Sequence, residues 1–363
     1  MKLLQGYILR ELLATFVAAF AALTAVIFVG MALVQLQALK YFPISAIGEI
    51  APYFLPLTLS FALPVAVLIS CALVFGRLSA DNEIDAIRVA GISLRRVLAP
   101  PLLLGILASV ATLHLNQETV PKYHFARRKV TQRGIQEAFY NLNREASSVS
   151  IGDIALAWSR RRGEVFQDFQ IRKMDPKTGL VVMEARASEG RLYRDPSGAN
   201  LWIDLVDGTL VEYTDPARRD AINPGTFREY REVIDLSSLM GGYSTRLSDM
   251  TNEDLEEGIR TGGIYGYPAK RLLEELYRRR AMGFAPLVFA LFGTPLGILV
   301  RKGSRLVGLG ASTLCGFLVY YPLMTAGEAL AVRGRISPEM GLWGPDAVMA
   351  LAAFVLLRIV LRK

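Results

Sequence analysis

The sequence predicts a polytopic α-helical membrane protein with six transmembrane helices, arranged 3+3 around an inserted all-β, jelly-roll-like domain. Three observations predict it. The 363-residue chain is 52% hydrophobic with a positive mean hydropathy, too apolar for an ordinary soluble domain. Its apolar residues gather into six runs, each at or near the roughly 20 residues that a bilayer core requires. Between the third and fourth runs charge appears throughout, and apolar residues alternate with polar ones at period two.

The first 118 residues hold three spans. Residues 1–11 are a short basic start, in which "YILRELL" reads as an interfacial helix entering the first span, 12–39. That span has no charge but carries Gln35 and Gln37 near its far end, with Lys40 just beyond. Such groups anchor a helix end at the interface or face a polar lumen. The second span, 53–76, contains Pro56 and Pro64; the third, 97–115, contains Pro100 and Pro101. Neighbours can satisfy the carbonyls that prolines free in a membrane, and these prolines are expected to bend their spans.

Residues 119–263 form the predicted β domain with flanking helices. Segments such as "VFQDFQIRKMDP" and "LWIDLVDGTLVEYTDP" alternate like strands, broken at Asp175-Pro176, Asp195-Pro196 and Asp215-Pro216. Asp207-Gly208 predicts a further tight hairpin. A sandwich or jelly roll is the expected fold. Thr251 is placed to cap a helix over "NEDLEEGI". "PAKRLLEELYRRR" forms an amphipathic helix with Leu272, Leu273 and Leu276 as its apolar stripe. Residues 264–363 hold spans 4 to 6, at 281–300, 306–332 and 341–361. Asp346 and Arg358 make the last the weakest run.

Between spans 2 and 3 lies a polar island, RLSADNEIDAIRVAGISLRR, from Arg77 to Arg96. Ser79 is placed to cap a helix, and Asp81 and Glu83 put carboxylates in its first turn, where the dipole favours them. Asp85 and Arg88 can pair across one turn. Ala80, Ile84, Ile87 and Gly91 share one helix face. Gly91 is expected to stop the helix in a left-handed cap, and Ser93 to cap the next one. This helix, at about 79–91, either closes a hairpin between spans or docks a soluble partner.

The net charge of +8 belongs to span ends and is no sign of nucleic-acid binding. Two cysteines, Cys71 and Cys315, lie inside apolar runs and read as small hydrophobes, so no metal site is expected. Basic residues concentrate in the termini, the island and the 301–305 turn, against Lys40, Arg333 and Arg335 in the other short loops. That asymmetry puts both termini and the island in the cytoplasm and the β domain outside. Arg278, Arg279 and Arg280 then fall on the outer side, against the rule. They either pair with Glu274, Glu275 and lipid headgroups or hold an acidic lipid.

Three stretches carry a resemblance: "YILREL", "LPVAVLISCALVFGRLSADNEIDAIRVAGIS" and "EELYRRRAMGFAPLVFALFGTPLGILVRKGSRLVG", with a weaker L-x-D-G-T match at Leu205 to Thr209. The whole layout resembles the LptF/LptG (YjgP/YjgQ) permease family of the lipopolysaccharide export ABC transporter, and its "GRLSADNEIDAIRVAGIS" wording is nearer LptF. The resemblance implies a bacterial inner-membrane permease without its own ATPase. A second permease of the family would pair with it, and a cytoplasmic ABC ATPase dimer would bind the ATP and Mg. Lipopolysaccharide would enter from the outer leaflet and pass to the periplasmic β domain, then to bridge proteins of similar fold.

By matching positions, the island becomes the coupling helix, with Arg77, Asp81, Glu83, Asp85, Ile87, Arg88 and Gly91 as ATPase contacts and Glu83 expected in the groove. Some family members carry cations in span 1, where this chain has Ala32, Gln35 and Gln37. Headgroup contacts are therefore expected at Gln35, Lys40 and Arg278 to Arg280. The chain has no G-x-x-x-x-G-K-[ST] loop, so no cofactor is expected in it. One rival reading is a membrane-anchored scaffold that binds lipid or protein in the periplasm without transport. A lipid-headgroup enzyme is the other, for which only isolated groups such as His114 and Glu328 are at hand.

Overall fold

The computed structural model describes residues 2–38, 48, 51–127, 130, 148–151, 154–163, 165–175, 178–194, 200–215, 220–235, 246–300 and 305–362. The chain divides into two units. One comprises Met1–Ala38, Ile47–Lys129 and Arg246–Lys363; the other comprises Leu39–Ala46 and Val130–Thr245. The return segment 246–263 thus belongs with the helices.

In the helical unit, α1 (Lys2–Ala38) is one uninterrupted helix, since no proline and only two isolated glycines occur in it. The basic start and first span are therefore continuous. α2 (Leu55–Ala80) takes Pro56 into its first turn and keeps Pro64 inside. α3 (Glu83–Val89) is the island helix, and α4 (Ala99–His114) follows a single turn at Leu94–Val97. Pro100 and Pro101 occupy the first turn of α4, where a missing N–H is no loss; they start the helix and do not kink it. α4 runs on through a π turn, Leu115–Thr119, as far as Arg127.

After the insertion come α5 (Asn252–Arg260), a two-residue hairpin, α6 (Ala269–Leu299), α7 (Arg305–Val332) and α8 (Pro338–Arg362). Thr251 caps α5 as the sequence predicts: its hydroxyl accepts from Asp254 N and its own N–H donates to Asp254 Oδ2. The amphipathic stretch and span 4 are one helix, α6, with Leu272 and Leu276 buried. Among the described residues five segments are long and apolar enough to cross a membrane: Leu3–Val34, Ala51–Ala80, Ala99–Arg127, Ala269–Leu299 and Pro338–Arg362. The 28-residue α7 lies between the last two.

α6 is the centre of the bundle, packed against α2, α4 and α8, and glycines set the distances. A Cβ on Gly297 would stand 2.6 Å from the Ala72 carbonyl of α2, and one on Gly105 2.8 Å from Ala290 Cβ. Gly327 and Gly341 face each other backbone to backbone between α7 and α8. Small residues let membrane helices approach closely enough for packing to hold them. Asp346, which weakens the last apolar run, is buried and accepts a hydrogen bond from Tyr320 Oη at 3.2 Å. A carboxyl group in a span has to face the protein interior, and this one does.

Among the described residues the second unit is one antiparallel sheet: β1 (Ser148–Ile151), β2 (Ile154–Ala157), β3 (Arg160–Arg162), β4 (Val165–Met174), β5 (Val181–Arg194), β6 (Asn200–Asp215) and β7 (Asp220–Asp235). It runs in the order β1-β2-β4-β5-β6-β7, with β3 on β4. The described strands therefore make a meander. Asp175 follows β4 and Asp215 ends β6, while Pro176, Asp195, Pro196 and Pro216 of the expected turns lie outside the described residues. Asp207-Gly208 does not make the expected hairpin: it lies in the middle of β6. Asp207 has φ 51°, and Asp168 on β4 has φ 53°.

These two residues mark a crease. The row through Asp168, Ser188, Asp207 and Arg228 is missing from every ladder, although the register is the same on both sides of it. At that row the core-facing series steps by three residues instead of two in all four strands. The steps are Phe166 to Phe169, Ala187 to Gly190, Leu205 to Gly208 and Phe227 to Tyr230. Alternation thus changes phase together across the sheet, and both halves of each strand face one core of Ile154, Leu156, Trp158, Phe169, Ile171 and Ile203. Gly190 and Gly208 are needed for bulk: Cβ atoms there would meet the Phe169 and Phe227 rings. A single creased sheet encloses a core here, as two sheets would in a jelly roll.

Candidate functional site

The island folds as the sequence predicts at its end and differently at its start. Gly91 has φ +72°, its N–H donates to Arg88 O (2.9 Å), and Ile92 N–H donates to Ile87 O (3.1 Å). These are the two bonds of a Schellman stop. Ser79 is not a cap. It belongs to the last turn of α2, and its hydroxyl donates to the Ile298 carbonyl of α6 at 3.0 Å. The break between α2 and α3 is made instead by Asp81 and Asn82, the latter left-handed at φ 58°. Ser93 stands at the start of the next turn without a side-chain cap bond.

α3 stands on the ends of three spans. Ile84 and Ile87 are buried in a cluster with Ile8 and Leu12 of α1, Ile298 of α6 and Val360 of α8. Arg88 pairs with Asp85 at 3.7 Å and donates to the Val360 carbonyl at 2.8 Å, near the C-terminus of α8. Arg77 pairs with Glu11 of α1 at 2.9 Å, and Tyr7 Oη donates to Glu83 Oε1 at 3.4 Å. The expected contact Glu83 is thus half-buried and touches α1. The outward face holds Asp81, Ala86, Gly91 and Val89, which is 89% exposed. An apolar side chain that open, on a helix whose opposite face is buried, is a ready anchor for a partner. Sequence reading missed Tyr7, Glu11, Val89 and Val360. The i, i+4 spacing of Tyr7 with Glu11 and of Ile8 with Leu12 was the available signal.

In the second expected cluster Arg279 is turned inward, while Arg278 and Arg280 stay partly exposed. Arg279 is 4% exposed; its Nε donates to Glu275 Oε1 (2.8 Å), its Nη1 to Met250 O (2.7 Å) and its Nη2 to Leu247 O (2.9 Å). It clamps the return segment to α6. Arg278 makes a bidentate pair with the same Glu275, and Arg280 pairs with Glu256 at 3.0 Å. Arg271 takes Glu274 at 3.3 Å. Each of the three arginines makes an intramolecular ion pair, and Glu275 is one of the acids that the plainer sequence reading named. Gln35 lies in α1, but its side chain and all of Lys40 are outside the described residues. Cys71 is buried and unpaired, and His114 and Glu328 are exposed. Among the described residues no group of three or more His, Cys, Asp or Glu could hold a metal ion.

A helical unit of membrane-crossing segments, a β unit inserted between its third and fourth spans, and a loop helix seated on span ends define a multi-pass membrane protein. The family model for the lipopolysaccharide export system permease LptF/LptG matches residues 6–359, and the chain belongs to that family of transport permeases. No curated protein matches it.

Proposed function

We propose that this chain is a permease subunit that turns ATP hydrolysis on a separate ATPase into extraction of lipopolysaccharide from the outer leaflet of the bacterial inner membrane. In this reading the ATPase dimer docks on α3 from the cytoplasm, where both termini lie. A second permease of the family pairs with the bundle. The lipid passes to the β unit in the periplasm and on to bridge proteins of similar fold. The wording of the island favours LptF, while the family match covers LptF and LptG alike.

One observation supports the reading most: α3 buries Ile84 and Ile87 against the ends of α1 and α8 while leaving Val89 open. A helix so seated passes a push from a partner to two spans through packed side chains and the Arg88–Val360 and Tyr7–Glu83 bonds. An outside energy source is required by the physics of the cargo. Each acyl CH2 leaving the bilayer costs roughly 0.8 kcal/mol, so a multi-chain lipid does not leave unaided.

The test is co-purification in detergent, then ATPase and lipid-release assays in proteoliposomes. A complex with a soluble ATP-binding subunit and a second six-span protein, releasing lipopolysaccharide with ATP, is expected. A chain that purifies alone and recruits no ATPase sinks the proposal and leaves the anchored-scaffold reading.

A further inference from the structure

At the end of the helical unit away from α3, a cavity of about 50 Å³ opens between α2, α4 and α6. Ser60, Asn116, His124, Ser248, Arg278 and Met282 line it. Asn116 is 7% exposed, and its Oδ1 accepts a hydrogen bond from Ser60 Oγ. Its Nδ2 is buried and has no partner among the described residues. An amide nitrogen left so would cost about 1–3 kcal/mol. Asn116 also lies in the π turn Leu115–Thr119, where Val120 N–H reaches back to Leu115 O. π turns insert one residue into a helix and recur at functional positions.

We infer that this cavity is an internal water site, in which Asn116 Nδ2 donates to a water held between the three helices. The size fits, since a water needs roughly 10–15 Å³ of such space. The chemistry fits too: a water needs two to four polar partners, and Asn116, Ser60, Ser248 and the Glu275 carboxylate of the same wall supply donors and acceptors. The cavity lies beside Ser248, just after the chain returns to the helical unit at Arg246. The water makes the π turn of α4 a wet joint, whose hydrogen bonds can be exchanged without leaving buried groups unpaired.

Radiolytic labelling of the full chain in nanodiscs, read by mass spectrometry, tests this. X-ray pulses make hydroxyl radicals from bound water in place, and methionine beside it is oxidised. Met282 on the cavity wall is 9% exposed, Met324 and Met349 in the apolar core are 5% and 3%, and Met340 is 73%. Met282 is expected to be labelled several times faster than Met324 and Met349. A bulk radical scavenger is expected to suppress Met340 and spare Met282. Asn116→Leu is expected to bring Met282 down to the rate of Met349. Labelling of Met282 at the Met349 rate in the native chain means a dry cavity and overturns the inference. Suppression of Met282 by the scavenger means access from bulk solvent and overturns it too. So does an Asn116→Leu chain with unchanged labelling. The native-chain comparison decides the matter even where that variant fails to insert.

Discussion

Arg88 of α3 donates to the Val360 carbonyl of α8 at 2.8 Å, across 272 positions of sequence. A helix C-terminus attracts cations, and Arg88 also holds Asp85 of its own helix. The bond makes α3 and α8 one mechanical piece. Arg88→Ala is expected to leave ATPase recruitment nearly intact while lipid release per ATP falls. Losing this charged hydrogen bond costs about 1.5 kcal/mol or somewhat more. ATPase rate and lipid release measured on the same proteoliposomes check it; a parallel fall of recruitment and release would place Arg88 in the docking contact instead.

Val89→Asp separates docking from folding. Val89 points outward and Ile84 inward at 2% exposure, so only the first can be changed without disturbing the bundle. Recovery of the ATPase with the Val89→Asp chain is expected to fall about tenfold or more, equivalent to roughly 1.4 kcal/mol. Membrane yield is expected to match the native chain. Glu83→Ala is expected to have a smaller effect, because Glu83 is shared with Tyr7. Pull-down at matched membrane levels gives the answer; equal recovery for Val89→Asp would remove Val89 from the interface.

Arg279→Met is expected to destabilise the helical unit by about 3 kcal/mol or more, since it strands the buried Met250 carbonyl, the part-buried Leu247 carbonyl and half of the Glu275 pairing. Arg278→Ala, a half-exposed partner of the same acid, is expected to cost less. Thermal denaturation in detergent ranks the two, and a larger loss for Arg278→Ala would contradict the clamp.

Gly297→Val drives a side chain into the Ala72 carbonyl and is expected to cost about 1–3 kcal/mol by overpacking, with reduced membrane yield. Gly76→Ala is the control, because a Cβ there meets only Gly297 O at 3.7 Å. Equal yields for both would show that the α2–α6 distance is not set by glycine.

Glu184 gives the β unit an acid limit. Burial raises its affinity for protons, but the Arg186 and Arg172 guanidiniums outweigh that and hold its carboxyl below the usual glutamate range. A carboxylate depressed in the folded state adds stability above its unfolded value, and that stability is lost as pH falls through the folded one. Glu184→Gln is expected to flatten the stability of the β unit below about pH 4.5 while changing little at neutral pH, where a surface pair is worth under about 1 kcal/mol. Denaturation followed between pH 3 and 7 for both chains decides it.

Tyr7 and Glu83, Asp168 and Asp207, and Arg279 with the carbonyls of the return segment show where sequence reading reached its limit. The spans were legible because lipid demands a long apolar run whatever the neighbours are. Gly91 was legible because a left-handed stop followed by Ile92 is a local matter of backbone sterics. Thr251 was legible for the same reason: its capping box closes within four residues. Asp207-Gly208 was not, since the same tolerance of positive φ suits a hairpin or a crease. The choice fell to Ser188 and the neighbouring strands, which change phase at the same row. Ser79 could cap α3 or bond across the bundle, and Ile298 is 219 positions away. Arg279 could meet lipid or protein, and only the fold of 246–252 beside α6 put carbonyls within 3 Å of it. The sequence by itself determined the spans, the local stop at Gly91, the cap at Thr251 and the family to which the chain belongs. The tertiary structure decided which face of each element is used, because a polar group takes whichever partner packing brings within hydrogen-bond reach.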